Sequence, residues 1–129
     1  MAQLVDGLVT LPADARTREQ LEWIAEEVVE AGGQASLWLA RPASVAQERE
    51  VARAMADARA DEYEVVIDEA TAALRGDARA RTKAGGRLRA ELRRIERRDF
   101  FPPPQREIAQ VAVRALSAGA DTPTEEAVP

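Results

Sequence analysis

The chain has 129 residues and a mass of 14.1 kDa, enough for one modest core. Hydrophobic residues make up 46 %, but alanine supplies much of that and aromatics reach only 4 %; the net charge is −5. Cysteine and histidine are both absent, which removes disulfides, thiolate nucleophiles, and the commonest general base and metal ligand.

In chain order, Asp6-Gly7 between two short β-prone runs predicts a tight hairpin over 3–12 that Pro12 ends. Thr17 to Gln20 reads as a capping box with Thr17 at the N-cap. Leu21, Ile24, Ala25, Val28 and Val29 then form an apolar stripe at helical spacing, and Gly32-Gly33 closes the helix. Residues 34–41 alternate as a strand, with Leu37 and Leu39 on one face and Trp38 on the other, both faces covered. Trp23 stands off the stripe of its helix, toward a neighbouring element or a partner chain.

Beyond Pro42, Ser44 and Gln47 form a second capping pair. A long helix, or two broken near 59–61, is expected to reach Leu74, with Gly76 as its C′ residue. Residues 77–86 hold Gly85 and Gly86 and no large apolar side chain, which predicts a loop. A helix follows from Arg87 to Arg98 on the stripe Leu88, Leu92 and Ile95. Phe100-Phe101-Pro102-Pro103-Pro104 breaks it, the phenylalanines plugging the core where the chain turns back. The last helix carries Ile108, Val111, Ala112, Ala115 and Leu116, and an acidic tail over 119–129 is expected to be disordered. With so much alanine, the core is expected to lean on Leu21, Trp23, Ile24, Trp38, Tyr63, Ile67, Leu92, Ile95 and Ile108.

The fold class expected is α+β and mostly helical: a hairpin–helix–strand part over 3–41 and a helical part over 44–118, together one domain. No apolar run approaches the roughly 20 residues of a membrane helix, and the opening residues lack a secretory leader's basic and apolar regions. A cytoplasmic protein without a membrane partner is expected.

Charge is distributed in blocks. Residues 75–98 carry ten basic side chains against three acids, whereas residues 1–74 carry six against fifteen. A basic helix of this kind either binds phosphate-like groups or pairs with the acids upstream. No aromatic side chain interleaves with the arginines, which argues against stacking on single-stranded nucleic acid. The acids Glu22, Glu26 and Glu30 share one helix face, but a solvated surface explains them better than a cation site.

Several stretches together resemble one family. They are Leu8–Pro12, Leu21–Val28, Ala31-Gly32-Gly33-Gln34-Ala35, Leu37-Trp38-Leu39, Asp61-Glu62-Tyr63 and Arg94–Pro102. The pattern is similar to the N-terminal domain of ChrB-type chromate-resistance regulator proteins, over roughly residues 3–117. The resemblance implies a partial ferredoxin-like unit that lacks the family's first strand and helix. Rearranged pairing of the hairpin with 34–41, pairing across a homodimer, or a shortened chain would each account for that difference. It also implies a non-catalytic regulatory or accessory role in chromate resistance, with DNA or the chromate oxyanion as ligand. Arginine forks suit a tetrahedral dianion, so Arg93, Arg94, Arg97, Arg98 and Arg106 are the candidate binding residues. No cofactor, metal or catalytic residue is expected. The alternative is a helical interaction or scaffold protein whose arginines pair with its own acids.

Overall fold

A computed structural model describes residues 2–5 and 8–118; the Asp6-Gly7 turn and the 119–129 tail lie outside the described residues. The chain is mostly helical and divides into two compact units, Met1–Arg53 and Ala54–Pro129. Its elements are β1 (Ala2–Val5), β2 (Leu8–Thr10), α1 (Ala15–Glu30), α2 (Val45–Ala73), α3 (Ala78–Arg97) and α4 (Gln105–Ala118).

In the first unit β1 and β2 pair antiparallel, Ala2 opposite Thr10 and Gln3 opposite Val9. The N-cap of α1 is Asp14, three residues before the expected cap. The Asp14 carboxylate accepts from the Thr17 N–H at 2.9 Å, while Thr17 Oγ1 receives the Asp14 N–H at 3.2 Å and donates to the Pro12 carbonyl. Thr17 is thus the N3 partner, not the N-cap, and it is the only buried side chain in this unit among the described residues. The Thr17 N–H bond holds the Asp14 carboxyl below the usual carboxylate range. A depressed value means the cap contributes above the ordinary pKa and is lost as pH falls through the native one. Asp14→Ala is therefore expected to speed amide exchange in the first turn of α1 at neutral pH, with the difference vanishing in acid. At the other end Gly32, at φ +88°, donates to the Val29 carbonyl and Gly33 to the Val28 carbonyl, the paired bonds of a Schellman stop.

The partial ferredoxin-like unit is not formed. Residues 34–41 are not a strand, because among the described residues no other strand runs beside them to complete a ladder. Their side chains are exposed, Trp38 by 81 %, so the expected cover on both faces is absent too. Trp23 and Ile24 are likewise exposed rather than part of a core.

The second unit is built around a true core. Tyr63, Val66 and Ala70 of α2 cluster with Leu88, Leu92 and Ile95 of α3 and Ala109, Val113 and Leu116 of α4. Helix α2 is unbroken through 59–61, and Ser44 caps it by accepting from the Gln47 N–H at 3.1 Å. Gly76 follows it without a left-handed φ, so the expected C′ glycine geometry is not used there.

The loop expected over 77–86 is instead the first half of α3. Asp77 caps it by accepting from the Ala80 N–H at 2.8 Å. Gly85 is buried where α3 meets α4: a Cβ there would lie 3.5 Å from the Leu116 Cβ. Its missing side chain lets the two helices approach, and that packing outweighs glycine's weak helix propensity.

Helix α4 is rotated from its expected setting. Ala109, Val113 and Leu116 face the core, while Ile108 and Val111 are more than half exposed. The small Ala109 permits close packing, which the bulkier Ile108 would not. The phenylalanines do not plug the core either; Phe101 is exposed and Phe100 half-buried, and Asp99 and Pro103 occupy the inside of that turn.

Candidate functional site

Where α3 ends, two cross-links tie it to α2. Arg98 Nη1 lies 3.0 Å from Glu62 Oε1, and the Tyr63 hydroxyl donates to Asp99 Oδ2 at 2.7 Å. Adjacent residues on one helix thus grip adjacent residues at the end of another. Glu62 is held from its own helix as well, with Arg59 Nε 2.9 Å from Oε2. The Asp99 side chain is fully buried, with Arg106 Nη1 3.9 Å from Oδ2. Burial first, then the bond to Asp99, raises the Tyr63 phenol above its ordinary value.

This geometry separates the five candidate arginines. Arg98 and Arg106 are turned toward Glu62 and Asp99 at the same junction, and Arg94 pairs with Glu91 at 3.0 Å. Arg93 and Arg97 are exposed, and among the described residues neither has an ion-pair partner. The five do not converge on one fork.

A groove of about 500 Å3 between α2 and α3 is floored by Val65, Val66 and Ala90. Its rim carries Glu62, Glu69 and Glu91 against Arg87 and Arg94, with Arg87 already 2.8 Å from Glu69. More carboxylates than guanidinium groups line it, so it does not suit a dianion such as chromate.

The open basic surface runs along the outward face of α3, beside that groove and opposite the core stripe of Leu88, Leu92 and Ile95. Arg79, Lys83, Gly86, Ala90, Arg93 and Arg97 recur at i, i+4, i+7, i+11, i+14 and i+18, one stripe along the whole helix. None of its four basic side chains is paired among the described residues, and a side chain at Gly86 would meet nothing. Arg79 and Lys83 were hidden from sequence reasoning by the expected loop; only the helix carries them onto the face of Arg93 and Arg97.

No group of His, Cys, Asp and Glu suited to a metal occurs among the described residues, and no helix is long and apolar enough to cross a membrane. Compared with protein-family models, curated proteins and solved structures, the chain matches none.

Proposed function

We propose that this chain is a non-catalytic regulatory or accessory module linked to chromate resistance, which binds the phosphate backbone of duplex DNA through the outer face of α3. The observation that carries the binding step is the unpaired stripe Arg79, Lys83, Arg93 and Arg97, with the flat patch of Gly86 and Ala90 at its centre. A straight rod of cations without aromatic side chains suits a regular polyanion and reads no base sequence. The chromate setting rests on the sequence resemblance alone. Arg94, Arg98 and Arg106, turned toward carboxylates, support the scaffold reading for those three residues.

Fluorescence anisotropy with duplex DNA from upstream of the chain's own gene tests the proposal. Four phosphate contacts give a slope of log affinity against log salt of about −3.6. Arg93→Glu/Arg97→Glu is expected to weaken binding at least tenfold without changing helicity, since neither side chain touches the core. No binding at low salt rejects the DNA role. DNA binding that chromate leaves unchanged rejects the chromate link and keeps the DNA role.

A further inference from the structure

The N-terminal unit leaves many of its large apolar side chains exposed. Leu8 and Val9 of β2, Ile24 of α1, and Leu37, Trp38 and Leu39 all line one groove of about 450 Å3, and each is exposed. These six side chains make one contiguous open patch. Isolated exposed apolar residues are ordinary, but a contiguous patch of this size marks a contact surface.

The backbone is open as well. Residues 34–41 form neither helix nor turn and contain no proline, and among the described residues none of them makes a backbone hydrogen bond. Eight successive donors and acceptors beside an apolar groove are a template for strand pairing.

We infer that this face is a homodimer interface, closed by antiparallel pairing of residues 34–41 with the same segment of a second copy. The segment is self-complementary about Trp38. Two-fold pairing there sets Leu37 opposite Leu39, Ser36 opposite Ala40, and Trp38 beside its own copy, each pair on one face. One symmetric contact pairs the facing backbone edges of both protomers and brings their apolar grooves side by side. The occupant's identity follows from that pattern: a second copy presents the same open segment in the register that its own side chains match. This inference is independent of the DNA-binding proposal, because no residue of α3 takes part.

Sedimentation of the full chain over a range of concentrations tests it. A reversible dimer that persists at high salt is expected, with tryptophan quenching by acrylamide increasing as the dimer is diluted. Leu37→Lys/Leu39→Lys is expected to weaken the dimer at least about 100-fold while leaving helicity intact, since each tenfold step needs only ~1.4 kcal/mol. The natural chain has no cysteine, so Ser36→Cys/Ala40→Cys is expected to give covalent dimers on mild oxidation. A chain that stays monomeric at all concentrations overturns the inference. So does a dimer that survives the lysine pair, or one that the cysteine pair fails to capture.

Discussion

Tyr63→Phe is expected to cost the C-terminal unit about 3 kcal/mol, because it strands the Asp99 carboxylate in the interior. The phenylalanine ring fills nearly the same volume, so packing is preserved and only the 2.7 Å hydroxyl donation is lost. Asp99 is fully buried, its nearest cation is Arg106 at 3.9 Å, and Oδ1 has no hydrogen-bond partner. Its carboxylate therefore depends on the phenol. Asp99→Asn keeps an acceptor for Tyr63 and is expected to cost only about 1 kcal/mol. Urea unfolding followed by helical circular dichroism measures both. Equal losses for the two variants would show that the hydroxyl bond is not what stabilises the junction.

The same contact sets the alkaline limit of the fold. The native phenol titrates above its unfolded value of about 10, so its contribution is complete below that pH and declines as pH rises beyond it. Tyr63 is the only tyrosine, and tyrosinate absorbance reports it alone. Its ionisation is expected to coincide with loss of helix, and that pH dependence should flatten in Tyr63→Phe.

Leu88→Ala is expected to be at least as damaging, at about 3–4 kcal/mol, by removing a fully buried side chain shared by α2, α3 and α4. The core holds two alanines among its nine clustered residues, with Ala73, Ala84 and Ala112 packed against it, so few large neighbours can move in to fill the gap. Ile108→Ala, though it deletes a comparable side chain, should cost within about 1 kcal/mol because Ile108 points outward. The contrast checks the rotation of α4 directly. If the two losses were alike, Ile108 would belong to the core.

Local chemistry made much of the fold legible. The stops at Gly32-Gly33, the cap at Ser44, and the stripe Leu88, Leu92 and Ile95 depend on residues within a turn or two of one another. The failures share a different cause. Asp77 and Gly85 read as loop residues until α4 packs on α3 and makes the glycine an asset. Residues 34–41 have a strand's alternation, yet a strand exists only with a partner. Ile108, Val111, Ala112, Ala115 and Leu116 have the right spacing for a core stripe, but so do Ala109, Val113 and Leu116, and only Leu116 is common to both. Spacing alone could not choose between them.

The candidate site divides in the same way. The concentration of arginines in 75–98 was plain from the sequence, as were the acids upstream that could answer it. Which arginines are answered was not, because Arg98 meets Glu62 and Arg87 meets Glu69 across long stretches of chain. The Asp61-Glu62-Tyr63 and Arg98-Asp99 segments stood out separately, and only the folded chain shows them to be each other's partners.

By itself the sequence determined the helical character, the absence of histidine and cysteine chemistry, and the block distribution of charge, since composition and short-range spacing suffice for these. Tertiary structure alone decided which face of each helix is inside, which arginines stay open on α3, and that 34–41 is left without a strand partner. Each of those depends on contacts between residues distant in the chain, where packing and hydrogen-bond satisfaction outweigh local preference.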